Sequence, residues 1–137
     1  MATIKYLGCF FQKQQLYEKI ADLDRTPLHR AIPYPHMTCV YRPEEIPEAL
    51  FGTPVTVRVT GYGCDGENEA LRVQFEELPK ALRALAENIP VPHITLSVSE
   101  FGKSVNSGRL AFEPVEPFLL KGIFGGFDEE TGAPVLD

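Results

Sequence analysis

The hydrophobic and polar positions divide this chain into strand-like runs and two stretches with helical spacing. Ile4 to Phe11 is short and mostly apolar and predicts a strand. Between Gln14 and Leu23 the apolar positions Leu16, Ile20 and Leu23 follow the i, i+4, i+7 face of a helix. Asp24 to Pro35 is a proline-punctuated connection, and Pro35 biases the chain into extended backbone. His36 to Tyr41 alternates, which predicts a strand with His36, Thr38 and Val40 on one face and Met37, Cys39 and Tyr41 on the other. Pro43 to Leu50 predicts a short helix with proline near its start. Val55 to Tyr62 and Ala70 to Glu76 are β-rich runs around the turn composition of residues 63–68, a hairpin pattern. Leu78 to Glu87 predicts a second amphipathic helix, with Leu78, Leu82, Leu85 and Ile89 on one face. His93 to Ser99 reads as a strand, Gly102 to Gly108 as a polar loop, and Phe118 to Phe127 as a last extended stretch. The acidic end, Asp128 to Asp137, reads as a loosely held tail.

Within this order one tetrapeptide pattern occurs twice. Pro35-His36-Met37-Thr38 follows Ile32-Pro33-Tyr34, and Pro92-His93-Ile94-Thr95 follows Ile89-Pro90-Val91. Each half runs strand, amphipathic helix, Ile-Pro-x-Pro linker, H-x-T strand, and the simplest account is an internal duplication. The expectation is therefore an α+β fold of duplicated strand–helix–strand lobes related by pseudo-twofold symmetry. Its antiparallel sheets would form a central groove with helices outside, in a single bilobal domain spanning residues 1–137.

Composition narrows the function without naming it. The 137 residues suit one domain, and the apolar fraction of 44% with 23% charged residues is that of a globular protein. No apolar run is long enough to span a bilayer, and the N-terminus lacks a signal-peptide layout, so no membrane partner and a cytoplasmic location are expected. Cys9, Cys39 and Cys64 are scattered without a C-x-x-C pair and read as reduced thiols. A net charge of −6 argues against long duplex nucleic acid, because neutralising many phosphates needs clustered Lys and Arg. One or two phosphates in a focused pocket remain compatible with it.

The chemistry lies in the two H-x-T strands. On a strand, residues i and i+2 share a face, so His36 points with Thr38 and His93 with Thr95. Two imidazoles and two hydroxyls facing one site suffice for acid–base chemistry on a phosphate. One ring deprotonates water, the other protonates a leaving oxygen, and the threonines hold the non-bridging oxygens. Two histidines leave a tetrahedral zinc site short of ligands, so neither metal nor cofactor is expected. A single H-x-T on a strand is ordinary; two with matching flanks point to function. His29 reads as a linker residue, and the Gly-rich segments 61–63 and 122–127 as turns or bends. Tyr41 and Phe101 follow the H-x-T strands and offer rings on which a base can stack. Lys103, Ser104, Asn106, Ser107 and Arg109 form a loop able to close over a phosphate or sugar.

Paired H-x-T motifs in this element order resemble the two-histidine (2H) phosphoesterase superfamily. That superfamily includes RNA 2′,3′-cyclic phosphodiesterases, the cyclic phosphodiesterase domains of tRNA ligases, and phage enzymes that cut cyclic oligonucleotides. The resemblance spans about residues 4–127, with specific identity confined to His36-Met37-Thr38-Cys39 and His93-Ile94-Thr95-Leu96. The run from His93 to Ser99 followed by Val105-Asn106-Ser107 is most similar to the RNA-repair and tRNA-ligase branch. It implies His36 and His93 as the acid–base pair, Thr38 and Thr95 as phosphate-oxygen donors, and metal-independent opening of a 2′,3′-cyclic phosphate. The partners it implies are a nucleotide or RNA with a cyclic phosphate end and an RNA-repair protein. The alternatives are hydrolysis of 3′,5′-linked cyclic oligonucleotide signals and a non-catalytic module that binds a phosphorylated ligand or RNA end.

Overall fold

Strand dominates this chain, and most of it belongs to one sheet. The computed structural model describes residues 3–22, 30–31, 34–65, 68–77, 79–87, 89, 91–99 and 110–137. In chain order the elements are β1 (Ile4–Phe11), α1 (Lys13–Asp22), β2 (Arg30–Ala31), β3 (His36–Tyr41), β4 (Pro54–Cys64), β5 (Asn68–Glu77), α2 (Arg83–Ala86), β6 (His93–Val98), β7 (Glu113–Asp128) and β8 (Ala133–Val135). The apolar and alternating runs thus become strands where their pattern predicts, and α1 buries Leu16 and Ile20.

The other two expected helices barely form. Pro43 to Leu50 yields a single 3₁₀ turn, Glu48–Leu50, because Pro47 removes an amide donor in mid-segment and its ring disfavours helix before it. Leu78 to Glu87 yields a 3₁₀ turn, Lys80–Leu82, and then the one-turn α2. With β5 running to Glu77 and Pro79 capping the turn, too little chain remains for a longer helix. Leu82 is buried and Leu85 and Ile89 half-buried as the amphipathic pattern requires, while Leu78 lies outside the described residues.

The eight strands form one antiparallel sheet in the order β2-β6-β5-β4-β7-β1-β3, with β8 added to β7. Strands account for 56% of the described residues, and the sheet curls into a nearly closed barrel. This corrects the expected α+β architecture of duplicated lobes, a central groove and outer helices. The long strand β4 pairs with β5 on one side and with β7 on the other, so the two halves share one continuous sheet. The interior is filled by Leu7, Met37, Val57, Leu71, Ile94, Leu120 and Phe124, and α1 contributes Leu16 and Ile20. Burying side chains of this size stabilises by roughly 1.5–3 kcal/mol each, and curling the sheet supplies that burial without a helical layer.

The C-terminal segment is not a loose tail. β8 pairs with Gly126–Asp128 of β7. The buried Asp128 carboxylate accepts bonds from the backbone N–H of Thr3 and Glu130 and from the Thr131 hydroxyl, at 3.2, 3.0 and 3.2 Å. Those bonds, that to Glu130 foremost, hold its pKa below the ordinary carboxylate value. No helix of the described residues is long and apolar enough to cross a membrane.

Candidate active site

His36 opens β3, opposite Phe10 of β1. Its Nδ1 lies 2.9 Å from the Tyr34 carbonyl oxygen, two residues back. A carbonyl only accepts, so Nδ1 carries the proton and, in the neutral ring, Nε2 keeps its lone pair. Tyr6 stacks on the imidazole with centroids 4.6 Å apart, and Phe10 lies 5.8 Å away. Phe127 continues the stack beyond Tyr6 at 5.1 Å. Burial in this aromatic setting lowers the His36 pKa; the Tyr34 carbonyl opposes that shift, and the charge of His93 adds to it.

His93 opens β6 in the same local manner. Its Nδ1 donates to the Val91 carbonyl oxygen at 2.8 Å, again two residues back, and leaves Nε2 as the acceptor of the neutral ring. Both motifs are then followed by an irregularity in the ladder. Thr38 opposes Gly8 and Val40 opposes Leu7, so Cys39 is the extra residue of a bulge. Thr95 opposes Ala70 and Ser97 opposes Glu69, so Leu96 is the extra residue in β6. Bulges re-aim side chains and concentrate beside active sites.

The first bulge changes which residues share the histidine face. Simple alternation puts Val40 with His36 and Thr38, and Tyr41 opposite. In the structure Cys39 and Val40 pack on the core, and Tyr41 lies opposite Tyr6 on the His36 side. Tyr41 is 60% exposed there, open to a stacking partner. Arg42, in the left-handed region with φ 52°, follows it, and its guanidinium lies 5.5 Å from the Tyr41 ring centroid and 3.2 Å from Glu129.

Two residues around His93 were not singled out from sequence. Arg72 of β5 is exposed and directly opposite His93, so its cation shares the His93 face. Nothing local marks it, because the pairing joins positions far apart in the chain. Glu69 is fully buried and accepts bonds from the Ser97 hydroxyl at 2.8 Å and from the Tyr62 hydroxyl. This polar cluster ties β6 to β5 and β4 just beyond Thr95.

The two motifs meet where the sheet nearly closes. β3 ends one side of the ladder and β6 lies next to last on the other, yet the two strands approach each other. β2 helps, pairing with Ser97 and Val98 of β6 before the chain passes into β3. The imidazoles are close enough that a charge on His93 disfavours one on His36. Thr38 is half-buried, and Thr95 is buried.

Phe101, Lys103, Ser104, Asn106, Ser107 and Arg109 lie outside the described residues, as does His29. Cys9 is buried beside Cys39, whose thiol together with burial raises its pKa, while Cys64 is exposed; all three are free thiols. Among the described residues no group of three or more His, Cys, Asp or Glu is arranged to hold a metal ion. Compared with protein-family models and with curated proteins, the chain matches none.

Proposed function

We propose that the protein is a cyclic phosphodiesterase of the two-histidine type, hydrolysing a 2′,3′-cyclic phosphate on a nucleotide or RNA end. The observation that carries this reading is the matched presentation of His36 and His93. Each has Nδ1 tied to the carbonyl two residues back, and each opens its strand, on two strands that approach each other. An acid–base pair needs one neutral and one protonated ring, and a charge on His93 disfavours one on His36.

We assign His36 as the base, a role that its lowered pKa supports. Its Nε2 takes a proton from water as the oxygen attacks phosphorus. The bond from phosphorus to one ribose oxygen breaks, and protonated His93 gives its proton to that oxygen. The product is a phosphate monoester, and each histidine ends in the other's starting state. Arg72 beside His93 and the hydroxyls of Thr38 and Thr95 are assigned to the non-bridging oxygens, where charge builds in the transition state.

The test is turnover in the presence of EDTA with 2′,3′-cyclic nucleotides, RNA ending in a cyclic phosphate, and cyclic dinucleotides. Hydrolysis of the first two is expected. His36→Ala and His93→Ala should each lower kcat by about 10²–10⁴-fold. Near-wild-type turnover by either variant, or cleavage of cyclic dinucleotides alone, defeats the proposal.

A further inference from the structure

A cavity of about 720 Å³ opens beside His36 on the same face of the sheet. Across the strands the register places His36, Phe10, Ile123 and Pro54 in one row. Neighbouring strands lie about 4.8 Å apart, so the cavity begins one strand from the imidazole. Phe10 is shared between them, contacting the His36 ring on one side and lining the cavity on the other.

The lining has a definite chemistry. Phe10, Tyr34 and Ile123 form apolar walls, and Tyr34 and Ile123 are 42% and 39% exposed despite their size. Among the described residues the charged side chains of the lining are those of Lys13 and Lys121, in a chain whose net charge is −6. Among the described residues neither ammonium has a carboxylate partner. Gln15 holds the two lysines' elements together: its amide donates to the Lys121 carbonyl at 3.3 Å, and its oxygen accepts from the Lys121 backbone N–H at 3.2 Å. The volume lies within the range of ligand sites, about 300–1,000 Å³.

We propose that this cavity is a subsite for the nucleotide on the 5′ side of the cyclic phosphate, which makes an RNA end the preferred substrate over a free cyclic nucleotide. The inference rests on the hydrolase reading above. A 2′,3′-cyclic phosphate terminates its strand, so everything attached to it beyond its own nucleoside lies 5′. The exposed ring of Tyr34 accepts any base by stacking, which gives grip without sequence readout. The two lysines meet the phosphodiesters that a strand carries and a free cyclic nucleotide lacks. An apolar wall alone would suit many ligands; one that carries two lysines and adjoins a two-histidine site suits a short single strand.

Two measurements on the full chain test this. The first is kcat/KM for a 2′,3′-cyclic mononucleotide and for a trinucleotide ending in a cyclic phosphate, with wild type and the Lys13→Ala/Lys121→Ala double variant. The second is anisotropy binding of a 5′-labelled trinucleotide 3′-phosphate across a salt series. Wild type should favour the trinucleotide, and the double variant should bring that preference towards unity. The slope of log K against log salt should become shallower by about 1.4, from roughly 0.7 per phosphate contact for a single strand. An unchanged preference and an unchanged slope, with cyclic phosphates still hydrolysed, would overturn the subsite and leave the hydrolase standing. Lysine-dependent, salt-sensitive binding with no turnover of either substrate would support the subsite and sink the hydrolase. Both lysines are exposed, and a thermal melt checks that the variant folds.

Discussion

Replacing Gly8 by alanine tests how tightly β1 and β3 are packed at the first H-x-T motif. An alanine Cβ there would sit 2.6 Å from the Met37 carbonyl oxygen, 3.4 Å from the Met37 carbonyl carbon and 3.5 Å from the Thr38 Cα. All three are backbone atoms, so no rotamer change relieves the contact and the two strands have to part by several tenths of an ångström. Overpacking of this kind costs about 1–3 kcal/mol, while removing glycine's freedom in the unfolded chain returns about 0.4–1 kcal/mol. The expected net loss is about 1–2 kcal/mol. For a domain of this size that lowers Tm by roughly 3–8 °C in a circular-dichroism melt. Because β3 carries His36 and Thr38, turnover measured well below Tm should fall as well, since small misplacements of reacting groups are costly. Gly132→Ala is the control: it imposes strain at φ 72° but meets nothing within 4 Å. It should lose about 1–2 kcal/mol and keep its turnover per folded molecule. A Gly8→Ala protein that melts at or above wild type would refute the register and spacing on which the placement of Thr38 depends.

Three further outcomes are expected. His36 should titrate by NMR below the ordinary imidazole value of about 6.5, because burial and then the His93 charge lower its pKa. His93→Gln should move it upward; titration at or above the ordinary value would contradict the site's electrostatics. The unfolded chain binds the extra proton first, so stability should fall as pH drops from about 6.5 to the folded value and then level off, a dependence that His36→Gln should flatten in urea melts. Arg72→Ala should lower kcat/KM for a cyclic phosphate by roughly 10–100-fold, the worth of a charged hydrogen bond, and an unchanged value would remove Arg72 from the site. Glu69→Ala takes the shared acceptor from two buried hydroxyls and should cost at least about 2 kcal/mol; a smaller loss in denaturant unfolding would show that the cluster does not anchor β6.

Much of the local structure is legible along the chain. The apolar run of β1, the alternation in β3 to β6 and the spacing of Leu16 and Ile20 in α1 each depend on a few neighbouring residues, and each appears where its pattern lies. The helices expected over residues 43–50 and 78–87 shrink because prolines and the reach of β5 interrupt them. The face of Tyr41 is misread from alternation for a different reason. One extra residue at Cys39 reverses the parity of everything after it, and a bulge is set by the partner strand rather than by the strand's own composition.

Two histidines, each paired with a threonine and each entering a strand after a proline, are a property of the sequence alone. Their meeting is not. It depends on the pairing of Phe10 with both His36 and Ile123, and on a sheet whose two ends curl together so that β3 and β6 become neighbours. Arg72 and the lysine-rimmed cavity follow from the same long-range pairings. Period-two patterns encode which residues share a face of one strand. Which strands lie side by side is decided by burial summed over the whole sheet, where contacts join positions a hundred residues apart.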